Sequence, residues 1–327
     1  MTSIRETAEK FNICGNFKGI ICFSEQMALH TTFKVGGPAQ LYIKPSDIHS
    51  LISALATLKN DGIPYFILGG GSNIVVSDKG FDGAVISMED ISAISADKDF
   101  VSCGAGSSMS AVVNFCIEHA LTGLETFAGL PGTAGGALYM NARCFNVSVS
   151  DILASAEYIE PDSLKQVSYT FSGSDWEYKK SPFQSTGRII TSVVFKTIKL
   201  SKAEKNEIET KCRMYIDERV KKGHFRYPSA GSVFRNNHAF GKPSGKIIDE
   251  AGLCGYQIGG AQIAPWHGNF IINKDNATEA DIKALVDYTI NIVKIKTGFT
   301  LEPEIIFCGR SDENELKTHL LSADSND

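Results

Sequence analysis

Residues 65–73 read YFILGGGSN, an apolar run of four that ends in three glycines, a serine and an asparagine. A short apolar run next to glycine predicts a strand, and three glycines leave successive backbone N–H groups free of side chains. Such a main chain suits the oxygens of a pyrophosphate, but a tight turn between strands explains the same residues. The loop is not a Walker loop, because no Gly-Lys-Ser/Thr follows. It also lacks the third glycine and the helix of a Rossmann fingerprint.

A second glycine-rich stretch follows at residues 129–137, GLPGTAGGA. Ordering a stretch so rich in glycine costs chain entropy on folding, so we expect these residues to have a function. Two such loops in one domain suggest one extended ligand with a diphosphate, such as FAD. The candidates for cofactor contact are Gly69, Gly70, Gly71, Ser72, Asn73, Gly132, Thr133, Gly135 and Gly136.

The composition excludes several classes of protein. The chain has 327 residues, of which 43% are hydrophobic and 21% charged, as expected for about two globular domains. The formal net charge, 32 − 37 = −5, lacks the basic excess of a nucleic-acid binder. No apolar run approaches the roughly 18 residues of a membrane span. The eight cysteines form no C-x-x-C pair and the seven histidines have no metal-ligand spacing, so we expect no metal, reduced thiols and a cytoplasmic location.

Helix and strand patterns alternate through both halves and predict an α+β fold. We expect a helix from Ser46 to Gly62, a second one capped by Ser108, and a charge-rich one over residues 201–222. The clearest is a helix with a Thr278–Asp281 capping box that Gly298 ends. The other predictions are strands at 74–76, 84–88, 100–103, 156–159, 167–171, 189–200, 268–272 and 301–307, and a helix at 245–251.

These patterns divide the chain into four segments. Residues 1–24 are interpreted as a loosely packed lead-in and 25–200 as the domain with both glycine loops. Residues 201–310 form a smaller α+β domain, and 311–327 a polar tail that frays.

Two polar residues of the C-terminal half are ambiguous when each is considered alone. Ser232 lies in a turn-like stretch without the G-x-S-x-G of a nucleophile elbow, and a serine in a turn usually satisfies the backbone. Glu304 lies in an otherwise apolar segment, either at an exposed edge or in a site.

Taken together, the motifs resemble the UDP-N-acetylenolpyruvoylglucosamine reductases, flavoenzymes of bacterial peptidoglycan precursor synthesis. The resemblance covers about residues 27–310 and looks like the shorter of the family's two forms. The matching stretches, in the family's order, are 30–39 (HTTFKVGGPA), 69–73, 129–142, 178–183, 228–236, 245–262 and 301–304.

The resemblance implies an FAD-binding domain of the vanillyl-alcohol-oxidase type, followed by a substrate-binding domain. It also implies non-covalent FAD, NADPH as reductant, and UDP-N-acetylglucosamine enolpyruvate as the small-molecule substrate. In the family, flavin N5 gives a hydride to the vinyl carbon, and the product is UDP-N-acetylmuramate. We expect a monomer that binds neither nucleic acid nor membrane.

Residue roles follow from the same resemblance. Ser232 corresponds to the proton donor, Glu304 to the glutamate that stabilises the enol intermediate, and Lys179 to a catalytic arginine. The residues implied in substrate binding are Tyr178, Lys222, Asn236 and His267.

The sequence departs from the family's pattern at several positions. Lys179 follows Tyr178 where the family has arginine. The point charge of an ammonium group therefore replaces the planar guanidinium fork of arginine. The other departures are residues 143–146 (RCFN), 223–225 (GHF) and Ile306. Two alternatives therefore stay open. One is another flavin-dependent sugar or alcohol oxidoreductase of this fold, and the other is a catalytically impaired homologue that binds flavin or UDP-sugar.

Overall fold

The computed structural model describes residues 3–13, 17–201 and 204–309. The predicted tail, 311–327, lies outside the described residues. The α-helices of the described ranges are α1 Ile4–Ile13, α2 Ile48–Asp61, α3 Met109–Glu118, α4 Ala134–Tyr139, α5 Val149–Ile152, α6 Lys205–Lys221, α7 Ser244–Glu250 and α8 Glu279–Thr297.

The strands are mostly short. They are β1 Gly19–Gln26, β2 Pro38–Pro45, β3 Tyr65–Leu68, β4 Ile74–Val76, β5 Phe81–Ser87, β6 Ile94–Asp97, β7 Phe100–Gly104, β8 Leu121–Thr122, β9 Arg143–Cys144, β10 Val147–Ser148, β11 Leu153–Ile159, β12 Gln166–Thr170, β13 Ile189–Lys196, β14 Ile198–Lys199, β15 Ser229–Ser232, β16 Gln257–Ile258, β17 Ala261–Ile263, β18 Phe270–Asn273 and β19 Ile306–Cys308. The mixture of strands and helices confirms the predicted α+β class.

Three larger sheets organise the molecule. The first has the order β1-β2-β5-β3, with β2, β5 and β3 parallel and β1 antiparallel at its edge. The second, β12-β11-β13-β7-β6, is antiparallel throughout. The third, β15-β18-β17-β16, belongs to the C-terminal half and is also antiparallel. α8 packs beside β16 and β17 and covers this third sheet.

α8 forms as its sequence predicts. The Thr278 hydroxyl accepts from the Asp281 backbone N–H, and the Asp281 carboxylate accepts from the Thr278 N–H, which completes the capping box. Gly298 ends the helix with a φ of 79°, a left-handed conformation that costs glycine little. One face of α8 is buried, and it consists of Ile282, Leu285, Val286, Thr289 and Val293.

The interpretation of residues 1–24 as a loose lead-in is wrong for the described part. α1 packs on α2, and Thr7 Oγ1 donates to Asp61 Oδ2 at 2.7 Å. Ala8 and Phe11 are buried, so α1 has an apolar stripe that its alternating charges concealed. β1 then pairs with β2 from Gly19 to Gln26, with a break in the pairing at Ser24.

Other predicted boundaries also shift. Asp47, rather than Ser46, is the N-cap of α2 and accepts from Ser50 N–H. The second glycine loop ends early, because Thr133 caps the short helix α4 despite the low helix propensity of its glycines. The predicted strand over 301–307 is shorter in the structure, where it starts only at Ile306, the first residue of β19.

The C-terminal segment returns to the N-terminal half. β19 pairs in parallel with β4, the strand that follows the first glycine loop. Phe33, Val35 and Val75 of the N-terminal half are buried in one apolar cluster with Val233 and Ile305. The two halves therefore share a core beside the loop, and the boundary at residue 200 stays a prediction.

Candidate functional site

Both glycine loops line one cavity of about 1260 Å³. Drug-sized ligands occupy cavities of about 300–1,000 Å³, so this cavity admits a larger molecule. Residues from strands β3 and β15, from the 30–34 segment and from the segment before β19 complete its walls.

The main chains of the two loops pack directly against each other. A Cβ on Gly70 would lie 2.6 Å from the Cα of Gly132, and one on Gly69 would lie 2.7 Å from Thr133 Oγ1. Gly71 has a φ of +59°, and a Cβ there would lie 2.0 Å from the carbonyl oxygen of His30. Glycine is therefore needed at these positions, because a side chain would collide with the neighbouring segment. The close packing leaves the main chains of both loops lining one ligand cavity.

The charges around the cavity are mainly positive, although the whole chain is acidic. Among the described residues that line it, two carry carboxylates, Glu89 and Glu304. Six carry positive charges: Lys34, Arg143, Lys179, Arg188, Arg219 and Arg226. The size, the exposed backbone of the loops and the cationic walls together fit a dinucleotide cofactor whose diphosphate is anionic.

Lys179 and Glu304 form an ion pair in this cavity. Lys179 Nζ donates to Glu304 Oε1 at 2.7 Å, and the two side chains are 14% and 8% exposed. Asn73 of the first glycine loop holds the same segment, since its Nδ2 donates to the Glu304 carbonyl at 3.1 Å. Of the two readings left open by the sequence, an exposed edge and a site, the burial of Glu304 favours the site.

Ser232 reaches the cavity through an irregularity in β15. Ser229 pairs with Ile272 and Ser232 with Phe270, so three steps on β15 oppose two on β18. Gly231, between them, has a φ of 73°. Such a bulge changes the direction in which the following side chain points, and Ser232 lines the cavity with Lys179 and Glu304.

The four predicted substrate-binding residues do not share this cavity. Tyr178 and Asn236 line a second, smaller cavity of about 340 Å³ with Lys180, Arg235 and Glu302. Lys222, the C-cap residue of α6, pairs with Glu218 at 2.9 Å on the surface. His267 is half-buried, with its ring centroid 4.6 Å from that of Phe270. Their roles stay predictions.

Two residues of the large cavity were missed as site candidates. Arg219 of α6 is buried and donates from Nε to the Ala128 carbonyl at 2.9 Å, just before the second glycine loop. His224 lies on the cavity wall, and its pKa is lowered to about 4, first by burial and then by Arg219, His267 and Lys222. Nothing in the local sequence distinguishes a buried arginine from the exposed ones of a charge-rich helix. For His224 the available signal was the departure of residues 223–225 (GHF) from the family's pattern.

The described ranges contain neither a metal-binding cluster nor a membrane-spanning helix. No cluster of three or more His, Cys, Asp or Glu side chains is arranged to bind a metal. No described helix combines the length and the apolar character of a membrane span.

Comparisons with known families agree with this architecture. A family model described as an FAD binding domain matches residues 39–164, and one described as the C-terminal domain of UDP-N-acetylenolpyruvoylglucosamine reductase matches residues 223–308.

Proteins named UDP-N-acetylenolpyruvoylglucosamine reductase are similar along most of the chain. The one from Treponema denticola is 46% identical, with 89% of this chain and 94% of the relative covered. The one from Borreliella burgdorferi is 38% identical, with 88% and 94% covered. The crystal structure of the reductase from Thermus caldophilus has a TM-score of 0.72 at 29% identity and covers 89% of this chain and all of that one.

Proposed function

The chain belongs to the UDP-N-acetylenolpyruvoylglucosamine reductase family, and from that premise we propose that it reduces UDP-N-acetylglucosamine enolpyruvate to UDP-N-acetylmuramate with NADPH. The observation that carries the proposal is the meeting of Ser232, Lys179 and Glu304 in the cavity that both glycine loops line. This reduction needs a proton donor and a cation near the developing charge, which Ser232 and Lys179 would supply, with the Glu304 carboxylate beside the cation.

The residues that would hold FAD are those of the two loops, residues 69–73 and 132–136, with the cationic wall near its diphosphate. Bound FAD supplies the hydride transfer from NADPH to the substrate. The close contacts between the two loops, with backbone against backbone, support non-covalent binding in which N–H groups face phosphate oxygens.

Three side chains would contribute to the reaction of the substrate. When hydride adds to the vinyl carbon, the double-bond electrons move toward the carboxylate and form an enolate. Lys179 stabilises this negative charge, and Glu304 holds the ammonium group at 2.7 Å. Ser232 Oγ then gives its proton to the adjacent carbon, and solvent returns a proton to the serine. General-acid catalysis of this kind contributes about 10²–10⁴ in rate.

The lining of the second cavity supports binding of the nucleotide end of the substrate there. Tyr178 lines it, while the next residue, Lys179, lines the large cavity. Lys180 and Arg235 supply positive charge there, but Arg235 also pairs with Glu302 at 3.1 Å. We propose that the substrate spans both cavities, with its enolpyruvyl group at Lys179. A cytoplasmic location and a monomeric state remain predictions.

An anaerobic two-step experiment tests the function. Purified holoenzyme is mixed with NADPH and then with substrate, and the absorbance of the oxidised flavin is followed in single-turnover measurements. We expect bleaching by NADPH and recovery on addition of substrate. Ser232→Ala should bleach at the wild-type rate and recover at least about 100-fold more slowly. Equal slowing of both steps in this variant would remove the proton-donor role.

The same experiment separates the alternatives. If wild-type flavin bleaches and does not recover with substrate, the reductase function is wrong. Lys179→Arg restoring recovery would then identify an impaired homologue, whereas recovery with oxygen and release of hydrogen peroxide would identify an oxidase.

A further inference from the structure

Thr32 joins the two parts of the site that the reaction must bring together. Its backbone N–H donates to the carbonyl of Gly71 in the first glycine loop, at 3.0 Å. Its side-chain Oγ1 donates to the carbonyl of Ser229, the first residue of β15, at 2.7 Å. Thr32 is half-buried and lines the large cavity. One residue therefore contacts the proposed cofactor loop and the strand of Ser232 at once.

The neighbours of Thr32 make this link rigid. Phe33 is fully buried in the cluster that contains Val233, and its carbonyl accepts from Asn273 Nδ2 of β18 at 3.0 Å. Thr31, by contrast, donates its hydroxyl to the Val35 carbonyl in its own turn, at 3.0 Å. The two threonines thus differ in what they hold, since Thr31 stabilises its own turn and Thr32 crosses to β15.

The bulge makes the position of Ser232 depend on Ser229. Between these residues β15 is out of register with β18, so the regular ladder does not fix Ala230 and Gly231. A Cβ on Gly231 would contact nothing within 4 Å, which leaves that side of the bulge open. The start of the bulge is held by the pairing of Ser229 with Ile272 and, from the other side, by the Thr32 hydroxyl on the Ser229 carbonyl, whereas its end is held by the pairing of Ser232 with Phe270.

We propose that Thr32 is a positioning residue, whose hydroxyl sets the place of Ser232 relative to the first glycine loop and so controls the rate of proton donation. The proposal rests on the proposed function, in which Ser232 gives its proton after hydride has arrived. It predicts an effect on the second half of the reaction and none on the first, because flavin reduction by NADPH needs no proton from Ser232.

The test compares Thr32→Val, which keeps the shape and removes the hydroxyl, with Thr32→Ser, which keeps the hydroxyl. FAD stoichiometry, melting temperature and substrate affinity of the oxidised holoenzyme are measured first, and we expect all three close to wild type in both variants. In Thr32→Val, flavin bleaching by NADPH should stay within about twofold of wild type. Recovery with substrate should slow at least about tenfold, since a misplacement of 1 Å costs up to about 100-fold.

Two readouts distinguish positioning from a general structural role. The solvent deuterium isotope effect on the recovery step should be larger in Thr32→Val than in wild type, because proton donation then limits the rate more. Thr32→Ser should restore recovery to within about threefold of wild type. Thr31→Val is the matched control, and it should change both steps by the same factor or leave both unchanged.

The outcomes are separable. If wild type recovers with substrate and Thr32→Val recovers equally fast, or slows in both steps alike, the positioning role is wrong while the function stands. If Thr32→Val does not fold, Thr32→Ser decides alone. Flavin recovery in Thr32→Ser that is slower than in wild type would then contradict the role, because this variant keeps the hydroxyl. If wild type does not recover with substrate, the function and this role are both wrong.

Discussion

Lys179 Nζ lies 2.7 Å from Glu304 Oε1, although the two residues are 125 positions apart in the chain. The chain on each side fixes the pair. Glu304 N–H donates to the Val233 carbonyl at 2.7 Å, and Ile306 N–H donates to the Asn73 carbonyl at 3.0 Å. The segment around Glu304 is therefore tied to the residue that follows β15 on one side and to the first glycine loop on the other. The carboxylate and the ammonium group meet because three distant segments converge.

Breaking this buried pair should destabilise the protein. Lys179→Met leaves the Glu304 carboxylate buried without a cation, and we expect a loss of about 3 kcal/mol in the free energy of unfolding. Urea denaturation of the holoenzyme at saturating FAD measures it. Lys180→Met is the control, because Lys180 and Glu177 are exposed, and an exposed pair contributes about 0–1 kcal/mol. The double variant Lys179→Met, Glu304→Gln should recover part of the loss; equal losses in both single variants would contradict the interpretation.

The contact between the glycine loops can be tested through FAD affinity. Gly70→Ala would bring a Cβ to 2.6 Å from the Gly132 Cα, so the two main chains must separate. We expect FAD affinity to fall at least about tenfold, about 1.4 kcal/mol, as measured by fluorescence titration of the apoprotein. Gly173→Ala is the matched control, because a Cβ there would meet nothing within 4 Å. Unchanged affinity in Gly70→Ala would show that the loops tolerate separation.

His224 should make stability depend on pH. Burial, and then the charges of Arg219, His267 and Lys222, lower its pKa from 6.5 to about 4. Between these values the unfolded chain binds a proton that the folded protein excludes. The folded state is therefore favoured above pH 6.5, and this contribution is lost as the pH falls toward 4.

Urea denaturation at pH 7 and pH 5 measures this contribution. We expect wild type to lose about 1 kcal/mol more than His224→Gln between the two values, a figure reduced for the partial exposure of the ring. His49→Gln, at an exposed position on α2, should lose as much as wild type. An equal pH dependence in wild type and His224→Gln would place the responsible group elsewhere, for example at His267, whose pKa is also lowered by burial.

Local patterns in the sequence predicted much of the fold. The Thr278 capping box, the Gly298 stop and the N-cap at Ser108 depend on contacts within a few residues, and each forms as expected. The two glycine loops could be found for the same reason. The helix α1 was missed because its apolar stripe is short and lies among alternating charges.

By itself, the sequence determined the α+β class, the ordered motifs of the family and the presence of Ser232 and Glu304. The tertiary structure alone decided that Lys179 pairs with Glu304, that Thr32 bridges Gly71 and Ser229, and that Tyr178 faces a different cavity from its neighbour. The physical reason is the separation along the chain of the residues that interact. Caps, turns and amphipathic faces arise from neighbouring residues, whereas these contacts join segments 39 to 231 residues apart, as for Thr32–Gly71 and Asn73–Glu304, and only chain packing brings them together.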